Sequence, residues 1–139
     1  QQMLTLGNLD NARDWGFAGD YVEAMRLMLQ QEAADDYVIA SGHTHSVREF
    51  VSLAGQAIGL DIEFDGEGLE TRGFDKKTGQ QIIAVSADFY RPSEPDPLTG
   101  DATKAHKKLN WRPKRSFEEL VVMMAESDLE RTRNGRVWY

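Results

Sequence analysis

Residues 46–64 read SVREFVSLAGQAIGLDIEF, which predicts a helix followed directly by a strand. Ser46 and Glu49 have the spacing of a capping box, in which two side chains satisfy backbone N–H groups of the first helical turn. The apolar residues that follow recur at intervals of three and four, and Gly59 is placed to end the helix. Leu60–Phe64 then alternates between apolar and acidic residues, as a half-exposed strand does. A helix and a strand in immediate succession favour a mixed α/β fold.

Other segments extend this pattern. Asp20 and Glu23 are spaced as an N-terminal cap, and apolar residues at helical spacing predict a helix over Asp20–Gln31. We predict three or four helices interleaved with three short strands, an α/β or α+β lobe. The remaining predicted elements are a buried strand over 36–40, a mobile surface loop over 65–80, a strand over 81–85, a stiff proline-rich loop over 91–100, a short helix from Asp101 to Leu109 and a last helix from Ser116 to about Leu129.

The predicted core comes mainly from the helices. Ser116 and Glu119 form a second capping box, after which the last helix should bury Phe117, Leu120, Val121 and Met124. Trp15 and Trp111 are expected to pack rather than to bind a ligand. The segment 131–139 has lost the helical pattern. The methionines expected in the core are Met25, Met28, Met123 and Met124.

Length and composition describe a single domain over residues 1–139. The chain has 40% hydrophobic and 28% charged residues, enough for a moderate core. It has no cysteine and shows no secretory signal pattern, so we expect a cytoplasmic location. No apolar run approaches the roughly 20 residues of a membrane helix. The net charge of −7 argues against a nucleic-acid surface, so an anionic ligand should be held by a few well-placed cations.

Several blocks together resemble one family. They are LGNLDNARDWGFAGDYV over 6–22, DDYVIASG over 35–42, SVREFV over 46–51, FYRPSE over 89–94, and GDATKA with LNWRP over 100–113. These blocks look like the GDP-mannose 4,6-dehydratase branch of the extended short-chain dehydrogenase/reductases. The resemblance runs from about Leu6 to Leu129. It implies the C-terminal, substrate-binding portion of such an enzyme, without a complete Rossmann domain.

The resemblance implies a ligand and the residues that bind it. Arg13 and Arg91 would grip the diphosphate of GDP-mannose or GDP, Glu94 would accept hydrogen bonds from ribose hydroxyls, and Asn8 would lie near the nucleotide. Physical chemistry agrees for the arginines, since a guanidinium presents a planar fork of donors that matches phosphate oxygens. Two plainer interpretations stay open. Arg13 beside Asp14 could form a surface ion pair, and Arg91 could simply order a loop.

The residues that carry out the family's reaction have no counterpart in the sequence. The glycines over 66–79 lack the spacing of a dinucleotide-binding loop. Tyr21, Tyr37 and Tyr90 have no lysine four positions later, so a Tyr-x-x-x-Lys pair is missing. We therefore expect no catalytic residue in this chain and no catalysis by the chain alone. The resemblance assigns NADP binding to another part of the full-length enzymes.

The resemblance also implies an internal organisation. Residues 1–40 would complete the nucleotide-binding domain of full-length relatives, 41–130 would form the substrate lobe, and 131–139 would be an atypical tail. Apolar surface left without a partner predicts a homo-oligomer or association with a Rossmann-domain chain. One alternative is a non-enzymatic interaction or assembly module. Another is a metal site at His43 and His45, although no third ligand stands nearby at ligand spacing.

Overall fold

The computed structural model describes residues 3–91 and 99–135, which divide into two compact units. The first unit takes the residues up to 11, those from 46 to 91 and those from 121 on. The second takes 12–45 and 99–120. Both contain helices and strands, which confirms the mixed α/β class. The elements in chain order are β1 (Leu4–Leu6), β2 (Ala12–Arg13), α1 (Ala18–Met28), β3 (His45–Ser46), α2 (Val47–Ala57), β4 (Ile62–Asp65), β5 (Arg72–Asp75), β6 (Gln81–Val85), α3 (Thr103–Leu109) and α4 (Phe117–Arg133).

The first unit is built on a four-stranded sheet in the order β1-β6-β5-β4. β1 runs parallel to β6, whereas β4, β5 and β6 form an antiparallel meander. β6 has the bounds that the sequence predicted, and β4 is displaced by one or two residues from its predicted position. β1 was not predicted. Its three residues are too few for a period-two pattern, and its pairing depends on a strand nearly eighty residues later.

The segment 65–80 is not the mobile loop that the sequence predicted. It contains a 3-10 turn at Gly68–Glu70 and the whole of β5, which pairs on both sides. The carboxylate of Asp75 is buried and accepts a hydrogen bond of 2.8 Å from the Thr78 hydroxyl, which closes the turn into β6. Glycines and charges concealed the strand pattern here. A Cβ at Gly73 would lie 2.9 Å from the side chain of Ile83 on the neighbouring strand. Close packing therefore requires glycine here, where a typical strand pattern would have a larger residue.

Helix α2 confirms the prediction from local sequence. Ser46 is the N-cap, its hydroxyl accepts from the Glu49 backbone N–H at 3.1 Å, and the Glu49 carboxylate accepts from the Ser46 N–H at 2.6 Å. Gly59 follows the helix in the left-handed conformation at φ 87°. The reciprocal cap satisfies two otherwise unpaired donors, so this helix has a well-defined first turn.

The second unit contains α1, α3, the start of α4, β2 and the first residue of β3. Trp111 is buried, and its indole N–H donates to the Asp20 carbonyl oxygen at 2.8 Å, which confirms its expected packing role. Asp101 accepts from the Thr103 backbone N–H at 2.9 Å at the start of α3, close to the predicted helix start. The buried cluster of this unit consists of Ala24, Ala102, Ala105, Leu109 and Trp111.

The predicted cap of α1 is wrong. The helix begins at Ala18, two residues before Asp20, and its N-cap makes no side-chain hydrogen bond. Asp20 is only 5% exposed, and its carboxylate accepts from the backbone N–H groups of Lys114 at 2.9 Å and Arg115 at 3.3 Å. A distant segment of the chain therefore uses the acceptor that the local pattern had assigned to the helix.

The strand predicted over residues 36–40 does not form. Tyr37 and Ile39 pack against the buried cluster, Ala40 is buried and Val38 is exposed. Burial along this continuous apolar run is therefore uneven, with exposed Val38 between the partly buried Tyr37 and Ile39. Within the described residues this segment has no ladder partner, and a strand requires one.

Helix α4 is longer than predicted and continues into the segment taken as a tail. It starts with the second capping box, where the Glu119 carboxylate accepts from the Ser116 N–H at 2.9 Å. It then runs four residues past Leu129 to Arg133, and in these turns Arg131 pairs with Asp128 at 3.6 Å. Phe117, Leu120 and Val121 are buried as predicted.

The expected burial of methionines is wrong for two of them. Met25 and Met124 are exposed, whereas the small Ala24 beside Met25 is fully buried. Helical spacing shows which residues share a face, but tertiary packing decides which face is covered. Most of the proline-rich loop predicted over 91–100, and the residues after 135, lie outside the described ranges.

Candidate functional site

A pocket of about 390 Å³ lies in the first unit, next to the start of α2. It brings together Asn8 and Arg91, two residues that the resemblance had singled out from separate segments of this unit. One part of its lining is polar or charged and another is apolar. The lining residues are Leu6, Gly7, Asn8, Asn11, Val47, Asp88, Phe89 and Arg91.

One wall of this pocket is held by α2. The backbone N–H of Val47 donates to the Asn11 carbonyl at 2.9 Å, and the N–H of Arg48 donates to the Leu9 carbonyl at 2.8 Å. The Arg48 side chain also pairs with Asp10 at 2.8 Å. The first helical turn thereby fixes the segment after β1, and the GNLD motif acts as a structural anchor as well as a lining of the pocket.

The side chain of Asn8 is ordered by its own turn. Its amide oxygen accepts from the Asp10 backbone N–H at 3.0 Å, the arrangement of an Asx turn. The side-chain NH₂ is consequently the group that Asn8 offers to a ligand. Two N–H donors suit phosphate, sugar hydroxyl or carbonyl oxygens.

The opposite wall is a turn that follows β6. The backbone N–H groups of Phe89 and Tyr90 both donate to the Ser86 carbonyl, at 3.2 and 3.0 Å. Gly7 lies so close that any side chain there would collide with the Phe89 carbonyl oxygen. Glycine is therefore required at this position for the two walls to approach.

Arg91 is the cation of the pocket. It is exposed, and within residues 3–91 and 99–135 it forms no ion pair that neutralises it. The pocket also contains an acidic residue, Asp88, so its lining carries both positive and negative charge.

Arg13 belongs to the second unit and lies on β2. It is exposed, and its guanidinium donates to the Ala12 carbonyl oxygen at 2.8 Å. The neighbouring Asp14 binds backbone groups of the same unit. The two carboxylate oxygens accept from the backbone N–H groups of Ser41 and Gly42, each at 2.9 Å.

The environment of Asp14 shifts its titration. Burial raises the pKa of this carboxyl, but hydrogen bonds from Ser41, Gly42 and Gly100 outweigh burial and leave the pKa below its ordinary 3.8. Trp15 also connects two segments of this unit, because its indole N–H donates to the His45 carbonyl at 3.1 Å. In the sequence Arg13-Asp14-Trp15, the aspartate and the tryptophan thus stabilise the second unit.

The remaining candidates are less well supported. Glu94 lies outside the described residues. The His45 ring stacks on Phe117 with centroids 3.9 Å apart, and no described group of three or more His, Asp or Glu side chains is arranged to hold a metal. The glycines of 66–79 lie in antiparallel strands and their turns, so they do not fit the phosphates of a dinucleotide, which need a turn between a strand and a helix.

Comparison with known proteins identifies the family. A family model described as GDP-mannose 4,6 dehydratase matches residues 1–124 of this chain. The chain belongs to the GDP-mannose 4,6-dehydratase family. The GDP-mannose 4,6 dehydratase of Drosophila melanogaster is 49% identical over 136 residues, which are 98% of this chain and 34% of the relative. The human GDP-mannose 4,6 dehydratase is 49% identical over 134 residues, 96% of this chain and 36% of the relative.

This chain therefore spans about a third of the length of the GDP-mannose 4,6-dehydratases that it matches. Among solved structures, a dTDP-glucose 4,6-dehydratase from Bacillus anthracis in complex with NAD aligns with a TM-score of 0.67 at 18% identity. The alignment covers 95% of this chain and 36% of that one. At this identity the likeness shows the fold alone. It places the chain in the same architecture as the aligned part of that dehydratase.

Six of the eight residues that line the pocket were not predicted as site residues from the sequence. Among these six, Gly7, Asn11 and Phe89 line it beside Asn8 and Arg91. Gly7 stands inside a quoted motif, and its glycine could have signalled a close backbone approach. Asn11 and Phe89 also stand inside quoted motifs, but neither was assigned a role in binding. In the described helices, none combines the length and the apolar character that crossing a bilayer requires.

Proposed function

We propose that this chain provides the nucleotide-sugar-binding portion of a GDP-mannose 4,6-dehydratase, with GDP-mannose as its ligand. The single observation that supports this most directly is the convergence of Asn8 and Arg91 on one pocket. The whole protein's reaction would be the conversion of GDP-mannose to GDP-4-keto-6-deoxymannose with NADP. The described residues show no loop suited to that cofactor, so we expect no turnover by the chain alone.

The chemistry of the pocket supports an anionic ligand. An exposed guanidinium can donate two parallel hydrogen bonds to phosphate oxygens and keeps its charge at every working pH. The Asn8 amide adds neutral donors beside it. We assign Arg13 as a second phosphate-binding cation and Glu94 as an acceptor for ribose hydroxyls, and both assignments rest on the family resemblance.

The test is a titration of the whole chain with GDP and GDP-mannose at low and high ionic strength. Calorimetry or ligand-observed NMR measures the affinity. We expect binding that weakens with salt, and a loss of roughly 10- to 150-fold in affinity for Arg91→Ala, because a hydrogen bond to a charged group is worth about 1.5–3 kcal/mol. Arg13→Ala, measured separately, should also weaken binding.

The matched control is Arg131→Ala. It makes the same change of residue and of net charge, but Arg131 lies near the end of α4 and pairs with Asp128 at 3.6 Å. It should leave the affinity within about twofold, as long-range charge effects are screened by salt. If neither ligand binds at millimolar concentration, or if the control loses as much affinity as Arg91→Ala, the proposed function is wrong.

We also propose self-association, or association with a chain that carries a Rossmann domain. The apolar residues Val22, Met25 and Leu29 of α1 and its C-cap are exposed, and Leu29 is 87% exposed. Apolar surface of this kind is commonly covered by a partner. Sedimentation should show an oligomer at micromolar concentration that Met25→Lys weakens, and strictly monomeric behaviour would contradict the idea.

A further inference from the structure

A second cavity of the first unit is an apolar groove between α2 and the four-stranded sheet. Its volume is about 490 Å³, and the described residues that line it are all apolar or glycine. One wall is the face of α2 that carries residues 47, 50, 51, 54 and 58, and the other is formed mainly by β1, β4 and β6. Such walls offer water almost no hydrogen bonds, so the groove suits apolar side chains and not a charged ligand.

The groove is open in the part of the chain that the structure describes. Met3, Leu4 and Ile58 line it and remain 42%, 47% and 40% exposed. The helix cannot close the groove by moving onto the sheet, because the two already touch where a Cβ at Gly55 would lie 2.6 Å from the Ile62 side chain. The apolar surface is therefore covered only if another segment or another molecule enters the groove.

Three stretches of the chain lie outside the described ranges, and their chemistry differs. Residues 1–2 are both glutamine, and residues 92–98 contain three prolines and two carboxylates. Residues 136–139 read Arg-Val-Trp-Tyr and bring a branched apolar side chain and two aromatic ones together. Among these three stretches, the last is the one whose side chains match an apolar groove.

The position of this stretch in the chain agrees with its chemistry. The residues from 121 on belong to the same compact unit as the groove. Helix α4 ends at Arg133, and Gly135 follows in the left-handed conformation at φ 67°. A left-handed glycine after a helix directs the chain away from the helix axis. Four further residues can then span at most about 14 Å, to which a large side chain adds its own length.

We propose that residues 136–139 fold back onto the first unit and that the Trp138 side chain occupies the apolar groove. The indole would remove apolar surface of Leu4 and Ile58 from water, while its N–H stays at the rim of the groove. The segment would thus cover a surface that is otherwise available to another molecule. This proposal does not depend on nucleotide binding, because the groove and the pocket that contains Arg91 have different chemistry.

The direct test is NMR on the whole chain. We expect nuclear Overhauser effects between the ring protons of Trp138 and the methyl groups of Val51, Ala54 and Ile58. Fluorescence gives a second readout. Because the chain has three tryptophans, the emission of Trp138 is taken as the difference between a protein and the same protein with Trp138→Phe. It should lie at the short wavelength of a buried indole and stay there on dilution, since docking within one chain does not depend on concentration.

Two variants act on the two sides of the contact. Ile58→Lys places a charge in the groove and should shift the Trp138 emission to longer wavelength. The matched control is Leu69→Lys, which makes the same change at an exposed apolar residue of the same unit outside the groove and should leave the emission unchanged. Trp138→Ala alters only the proposed occupant. It should increase the fluorescence of the dye 1-anilinonaphthalene-8-sulfonate, which reports exposed apolar surface.

Each alternative occupant gives a different result. If the Overhauser effects are absent and Ile58→Lys leaves the Trp138 emission unchanged, the proposal is overturned. Contacts that appear but disappear on dilution would mean that the segment enters the groove of a second copy, so folding back within one chain would be wrong. A wild-type chain that binds the dye as strongly as Trp138→Ala would show that the groove is not covered, and this result remains decisive even if Ile58→Lys fails to fold.

Discussion

Replacement of Asp20 should destabilise the second unit more than replacement of any exposed carboxylate. Asp20 is 5% exposed and accepts from the backbone N–H groups of Lys114 at 2.9 Å and Arg115 at 3.3 Å. Hydrogen bonds to a charged acceptor are worth about 1.5–3 kcal/mol each, and the longer one contributes less. We expect Asp20→Ala to lower the free energy of unfolding by about 3–4 kcal/mol.

Asp20→Asn provides a graded comparison. An amide oxygen can still accept at the same place, but neutral hydrogen bonds contribute only about 0.5–1.5 kcal/mol each. The expected loss is therefore about 1–2 kcal/mol. The control is Asp36→Asn, which changes the same charge at an exposed position and should stay within about 0.5 kcal/mol of the wild type.

Urea denaturation followed by circular dichroism measures these losses, and amide hydrogen exchange locates them. The N–H groups of Lys114 and Arg115 should lose protection in Asp20→Ala more than the amides of α2 in the first unit. The reasoning is refuted if Asp20→Ala unfolds at the same urea concentration as Asp36→Asn, or if the Lys114 amide keeps its protection.

Three further perturbations test other parts of the chain. Because the pKa of Asp14 is lower in the folded state than its ordinary 3.8, this carboxylate stabilises the fold above that pH and the stabilisation is lost as the pH falls through the lower, folded-state value. The stability gap between wild type and Asp14→Asn, from urea midpoints, should hence be wide at neutral pH and narrow progressively as the pH falls below 3.8; a constant gap would contradict the assignment. Ser46→Ala removes the cap of α2 and should cost about 1 kcal/mol in the same measurement, whereas no loss would mean that the observed capping box is energetically idle. Gly7→Ala forces a Cβ against the Phe89 carbonyl and should lower stability by about 1–3 kcal/mol and weaken GDP binding although Asn8 and Arg91 are unchanged; unaltered stability and affinity would show that the two walls need not meet closely.

Some of the residues that line the pocket were predicted from the sequence and others were not. Asn8 and Arg91 were both selected from motifs, and the structure brings them to one pocket. Arg13 was selected in the same way and lies in the second unit. Phe89 and Asn11 went unnoticed, because a residue becomes part of a pocket through the folding of distant segments and not through its immediate neighbours.

By itself, the sequence determined the features that depend on contacts within about four residues. The capping boxes at Ser46 and Ser116 and the start of α2 formed as predicted, since both partners of each interaction lie within one helical turn. β6 also appeared where its β-branched run stood. The family could also be recognised from the sequence, because its motifs consist of consecutive residues.

Only the tertiary structure decided how those local elements are used. It paired Asp20 with an N–H 94 residues away, buried Ala24 while exposing Met25, and left residues 36–40 without a ladder among the described strands. It also made a strand from the glycine-containing segment 72–75, which no local pattern announced. Hydrogen-bond partners and the burial of side chains depend on contacts between distant segments. A sequence pattern therefore shows which donors, acceptors and apolar side chains are present, but not which groups they contact.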